Sequence, residues 1–284
     1  MLDEVGRRLE LRSLLAAVEV APPVAAVDVF AAELAGRLGA KEVCFFISDF
    51  SGGALVRLSH HQAGGAGRSQ GADTAETVPL SGTPYEQVIR TQRLQARSDE
   101  AGTRLLAPVT ARGDVIGLLE MLLPVDADAD TVEYVAAAAH ALGYVVIVNR
   151  RFTDLFEWGQ RSQPFSLAAE IQRRLLPTSL TCEAWQFTVA GALEPAGNVG
   201  GDTFDYALDR HTLHVSLTDA GAGRRRQPLT GMCARQPAQA VRHHRPRPGL
   251  RHPPDARRGT RPCTLIGGRT ADPRSTRRRR STVS

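Results

Sequence analysis

At 284 residues and 42% apolar positions, the chain has room for one large or two ordinary globular domains. Its formal charge of +5 is unevenly spread: residues 224–284 hold 17 Arg, no Lys and two acids, whereas the first 223 residues hold 18 basic and 28 acidic side chains. The segment 224–284 also carries 8 of the 17 prolines and no Phe, Tyr, Trp or Glu, so it buries too little apolar surface to offset its ordering entropy and reads as a disordered Arg/Pro-rich tail.

Taken in chain order, residues 1–20 read as an N-terminal helix, with Leu11, Leu14, Leu15 and Val18 at helical spacing. "APP" at 21–23 breaks it. A second helix is predicted from about Val24 to Leu38, with Val27, Phe30, Ala31, Leu34 and Leu38 on one stripe. "EVCFFIS" (42–48) and "ALVRLSH" (54–60) read as strands joined by the turn "DFSGG". Cys44 lies in that apolar run and reads as a core residue. His60 and His61 read as strand-end surface residues. A Gly/Ala/Ser-rich loop follows at 62–76, then the short strand "TVPL". "GTPYEQVIRTQ" is a short helix, with Thr83 as N-cap and Pro84 at its first position. "TRLLAPVTAR" (103–112), the turn "GD" and "VIGLLEMLLP" (115–124) form a second hairpin, and a long helix starts near Asp130. This order gives an α+β domain, an antiparallel sheet with flanking helices, over residues 21–150.

That order, with the "GTPYEQVIRTQRLQ" insert and the "LLAPVTARGDVIGLLEM" hairpin, resembles a GAF domain. The resemblance implies a sensor of a small molecule or a partner, and no residue in 24–150 names the ligand. Residues 151–177 read as linker and signalling helices. Leu167, Ile171 and Leu175 share one face of "LAAEIQRRLLP" (167–177), which either packs on the next domain or relays the sensor's state.

Residues 178–223 carry the most specific pattern. "DTFDYAL" and "LHVSLTD" read as strands around "DRHT". If Leu208 faces Leu213, then Tyr206 faces Val215, Phe204 faces Leu217, and Asp202 faces Asp219, all on one side, with the three apolar pairs expected to make a core. Like charges so placed, with Cβ atoms about 4.5–5.5 Å apart, are destabilising. A shared proton, an arginine or a divalent cation would each compensate. A register differing by two, with Asp202 in a turn and Asp219 as a strand-end cap, leaves nothing to compensate.

"AAEIQRRLLP", then "PAGNVGGDTFDY", then "HVSLTDAGAG" resemble the opening of the PPM-type, SpoIIE-like metal-dependent protein phosphatases, an αββα sandwich. The resemblance implies that Asp202 and Asp219 bind catalytic Mn²⁺ or Mg²⁺, with the backbone carbonyl of Ala220 as a further metal ligand. Asp205 matches the second Asp of the first motif. The implied activity is hydrolysis of phosphoserine or phosphothreonine on proteins by water activated at the cations. The implied substrate is a bacterial regulator such as an anti-anti-sigma factor.

The chain departs from that pattern after Ala220. The family's glycines would fall at 222 and 224, but they stand at 221 and 223, and Arg224 follows. Residues 224–284 hold only Asp255 and Asp272 and no counterpart of the remaining strands. Such an Arg/Pro/His-rich composition is what a GC-rich coding sequence yields out of frame. The expectation is a frameshift near codon 221, a partial phosphatase domain and weak or absent activity. Two alternatives stay open: a non-catalytic GAF sensor that homodimerises through its long helices, and nonspecific nucleic-acid binding through the basic tail, which lacks interleaved aromatics. Cys44, Cys182, Cys233 and Cys263 show neither metal-ligand nor paired spacing. The N-terminus does not read as a signal peptide, and no stretch reads as a span of about 18 apolar residues. A cytoplasmic protein without a membrane segment is the resulting expectation.

Overall fold

The computed structural model describes residues 2–63, 76–162, 166–184, 187–193, 201–209, 212–218 and 233–235. Its contacts divide the chain into two units, Met1–Phe165 and Ser166–Ser284.

In the first unit the run Glu42–Ser48 forms β1, buried from Val43 through Ile47. Both of its faces are covered, which is why apolar residues occupy consecutive positions. It pairs antiparallel with β2 (Ala54–Gln62) on one side and β6 (Asp114–Leu123) on the other. With β3 (Thr77–Pro79), β4 (Gln95–Asp99) and β5 (Gly102–Ala111), the sheet has six strands in the order β3-β2-β1-β6-β5-β4. On one face, α1 (Leu2–Glu19), α2 (Ala26–Leu38), α4 (Ala129–Asn149) and α5 (Leu155–Gly159) contribute to a single core around Phe30, Phe45, Leu119, Leu142 and Phe156. On the other, α3 (Pro84–Thr91) covers a smaller cluster of Cys44, Phe46, Leu55, Leu106 and Leu118 with Val88.

Local chemistry sets the element ends. Gly39, at φ 62°, ends α2 in the left-handed conformation that glycine tolerates best. The Asp128 carboxylate caps α4 by accepting from the Thr131 amide at 2.7 Å. Thr83 stands at the N-cap position of α3 but does not cap through its side chain; its hydroxyl donates instead to the Leu80 carbonyl at 2.7 Å.

Three features differ from the sequence reading. β4, with only Gln, Ala, Arg, Ser and Asp, is a polar edge strand that hydropathy patterning does not show. The segment after α4 does not leave the unit as a linker at residue 151. Phe156 is fully buried, Gln160 donates to the Ser48 carbonyl at 3.1 Å, and Ser162 donates to Asp49 at 2.6 Å, so residues 154–162 close the first unit. The apolar stretch of α4 is also long and apolar enough to cross a membrane, contrary to the sequence reading. Here it is a core helix, with Val135, Ala138, Ala139, Leu142 and Val146 buried against the sheet unit.

The second unit begins with α6 (Leu167–Arg174), capped by Ser166 accepting from the Ala169 amide. β7 (Thr181–Glu183) pairs with β8 (Thr188–Ala190). β9 (Thr203–Leu208) pairs with β10 (Thr212–Thr218) in the register expected from sequence: Leu208 with Leu213, Tyr206 with Val215, Phe204 with Leu217. The expectation that these three pairs build a core is corrected. Phe204 is buried, packed on Gly191, but Leu208 and Leu217 are exposed. β11 (Cys233–Arg235) adds to the outer edge of β10, so three residues of the segment read as disordered lie on a sheet, satisfying backbone groups that β10 presents there.

Candidate functional site

β1 places Glu42 and Cys44 two residues apart, hence on the same side of the sheet, the side covered by α3. β2 brings His60 to the same side by a specific device. Pairing runs Phe46↔Arg57 and then Phe45↔Ser59, so Leu58 is an extra residue, a β-bulge. Without it His60 would share the side of Val43 and Phe45. With it, His60 sits directly across from Cys44.

The three side chains converge. His60 Nε2 is 2.7 Å from Glu42 Oε1, and Cys44 Sγ donates to that same oxygen at 3.7 Å. His60 Nε2 is buried and faces Glu42 as an ion-pair partner whenever the ring is protonated. His60, read from the sequence as a strand-end surface residue, is half-buried near the end of β2 and meets Glu42 and Cys44 there. Cys44 is buried as expected. Burial first, and then the charges of Glu42 and Glu120, push its thiol from 9.0 up to about 12.

Next along the same face stands Glu120, buried and opposite Cys44 on β6. It is compensated from two directions. Arg104 of β5 forms an ion pair with Oε1, and the Tyr85 hydroxyl of α3 donates to Oε2 at 2.7 Å. Burial, and then the bond to Glu120, push the Tyr85 phenol well above its ordinary value. Burial works against the Arg104 charge, but Glu120 holds the guanidinium above its usual value. The face is therefore two-sided in chemistry. One part is apolar, around Phe46, Leu106 and Leu118, and the other holds Glu42, Cys44, His60 and Glu120.

In the second unit, Asp202 precedes β9 and is exposed. Gly201 before it has φ 78°, a conformation that a side chain would strain. Gln172 of α6 donates to the Asp202 carbonyl at 2.8 Å, tying the α6 motif to the aspartate motif. Asp205 is exposed and accepts from the Tyr206 amide. Asp219 and Ala220 lie outside the described residues. Asp202 carries a carboxylate, the kind of hard oxygen donor that Mn²⁺ or Mg²⁺ prefers, and the pairing of β9 with β10 is described as far as Thr203 with Thr218. Among the described residues, the one group of three ligating side chains close enough to share an ion is Glu42, Cys44 and His60.

The first unit is similar to solved GAF domains. The GAF domain of a phosphoenolpyruvate-protein phosphotransferase from Acinetobacter is 12% identical, covering 51% of this chain and 94% of its own, with a TM-score of 0.43. That of the corresponding Coxiella burnetii protein is 15% identical, covering 51% and 95%, with a TM-score of 0.44. The GAF-B domain of DevS from Mycobacterium smegmatis is 20% identical, covering 46% and 100%, with a TM-score of 0.37. These likenesses concern about half the chain and its fold; they say nothing of ligand or activity. No protein-family model matches the chain, and no curated protein matches it.

Proposed function

We propose that the chain is a bacterial signalling protein in which a GAF-like sensor unit precedes the opening portion of a PPM-type phosphoserine/phosphothreonine phosphatase. The observation that carries this reading is local to the second unit. β9 and β10 pair as far as Thr203 with Thr218, in the register that the sequence predicts, and Gln172 fastens Asp202 through its carbonyl. Mn²⁺ or Mg²⁺ bound there would supply charge stabilisation for phosphoryl transfer. The chain's own contribution is the Asp202 carboxylate at the entry to β9, where Gly201 gives the backbone its positive φ. The substrate class is a phosphorylated regulator such as an anti-anti-sigma factor.

The same reading holds that the catalytic portion is incomplete. Phosphoprotein hydrolysis with Mn²⁺ is expected to stay near background for this chain. Restoring the reading frame after Ala220 is expected to yield Mn²⁺-dependent turnover that Asp202→Ala abolishes. Strong turnover by the chain as it stands would overturn the incompleteness. The absence of Asp-x-x-Gly-x-Gly and a long continuation in either other frame near codon 221 would overturn the frameshift.

A second reading, a non-catalytic sensor that homodimerises, is favoured by one observation. Tyr144, Ile147 and Val148 form an exposed apolar stripe on α4. Light scattering on the chain and on Ile147→Glu checks it: a dimer that becomes a monomer supports this reading, and a monomer in both cases removes it.

A further inference from the structure

The cluster on the α3 side of the sheet joins three ligating groups of different chemistry: a carboxylate, a thiol and an imidazole. Their ligand atoms all lie within 4.8 Å of one another. A tetrahedral centre with bonds of about 2.0–2.3 Å spaces its ligand atoms by roughly 3.3–3.7 Å, so the cluster needs only small side-chain adjustments to surround an ion. We propose that Glu42, Cys44 and His60 form a binding site for a divalent cation of the Zn²⁺ class, with its fourth position open to water or a small exogenous donor.

Four observations carry this. First, the frame is rigid. Glu42 and Cys44 stand on the central strand, and His60 is registered opposite Cys44 by the bulge at Leu58. Second, the buried His60 Nε2 already stands 2.7 Å from Glu42 Oε1, so two of the three ligand atoms are brought together before any ion enters. Third, the donor set discriminates. One sulfur, one nitrogen and one oxygen suit borderline ions such as Zn²⁺ or Co²⁺ and are poor for Ca²⁺ or Mg²⁺, which take oxygens. Fourth, the surroundings of Cys44 suit a dication. Glu42 and Glu120 both act on Cys44 more strongly than Arg57, the cation that opposes them, and Cys44 stands directly opposite Glu120 on β6. On binding, the S–H bond breaks, the sulfur–metal bond forms and one proton leaves to solvent, with no change of oxidation state.

This site is separate from Asp202 and its reading does not depend on phosphatase activity. The test is a titration of the full-length protein with Co²⁺, followed through the thiolate-to-metal charge-transfer absorbance, and then competition with Zn²⁺. One equivalent is expected to give the band. Cys44→Ser is expected to remove it. His60→Gln and Glu42→Gln are expected to weaken binding by ~100-fold, at or beyond the loss seen for outer-sphere partners. A triple variant, Cys182→Ser with Cys233→Ser and Cys263→Ser, is expected to retain the band. Persistence of the band in Cys44→Ser, its loss in the triple variant, or no stoichiometric band at all would overturn the site. Should Cys44→Ser fail to fold, His60→Gln decides. Zn²⁺ should raise the melting temperature of the parent and not that of His60→Gln, and an equal rise in both overturns the proposal.

Discussion

Two buried acids show how single residues set the energetics of the first unit. Asp49 is satisfied by its own turn, accepting from the Ser51 hydroxyl and the Gly53 and Ala54 amides, and Ser162 adds a fourth donor from far along the chain. Glu120 depends on Arg104 and Tyr85. Tyr85→Phe removes a hydrogen bond to a charged, buried oxygen, a loss of about 1.5–3 kcal/mol. Chemical denaturation of the variant should show that loss, and an unchanged midpoint would mean that water replaces the hydroxyl. The raised thiol of Cys44 has a pH consequence with a definite sign. A group whose folded value, about 12, exceeds its ordinary 9.0 contributes stability that is fully present below pH 9 and is lost as pH rises toward 12. In metal-free buffer the melting temperature should therefore fall above pH 9, less so in Cys44→Ala, and Cys44 should resist alkylation at pH 8 while the half-buried Cys182 reacts. The role of Cys44 as a buried side chain is legible from its apolar run. Its meeting with His60 is not, because the two are sixteen positions apart and only the extra residue Leu58 turns His60 to that side.

At the scale of elements, hydropathy period and turn chemistry locate β1, β5, β6 and α4, because each buries a wide apolar surface. The β9–β10 register follows from matching apolar pairs across a four-residue loop. β4 and β7 escape notice because edge strands are held by backbone bonds, which polar sequences form equally well. α5 escapes because its five residues are too short to show a period, although Phe156 anchors it. The apolar face of α6 is legible, but its burial is not observed: Leu167, Ile171 and Leu175 are all exposed. Two element-level predictions follow from geometry. A Cβ at Gly117 would lie 2.0 Å from the Phe46 carbonyl oxygen, inside the β1–β6 pairing. Backbone cannot yield that distance cheaply, so Gly117→Ala should abolish the cooperative thermal transition of the first unit. Asp128→Ala removes the α4 cap and should cost about 1 kcal/mol, read as a shift in denaturation midpoint without loss of fold.

At the scale of the whole molecule, charge separates along the chain: an acidic first 223 residues and a segment of 17 Arg against two acids. Hydrogen bonds and cores explain neither half of that asymmetry, and the consequence is electrostatic. Phosphate-rich polymers attract such a segment through release of condensed counterions, so affinity should fall linearly with the logarithm of salt concentration. Sequence discrimination should be absent, because residues 224–284 hold no Phe, Tyr or Trp to interleave with bases and selective readout requires fixed base-edge contacts. The expected outcome is that the full chain binds random duplex DNA at low salt and loses about 10³-fold or more between 50 and 200 mM if at least six phosphates are contacted. A chain ending at residue 223 should not bind at all. Binding that persists without residues 224–284 would place the nucleic-acid surface on the first 223 residues despite their net negative charge, and binding that is insensitive to salt up to 200 mM would overturn its electrostatic origin.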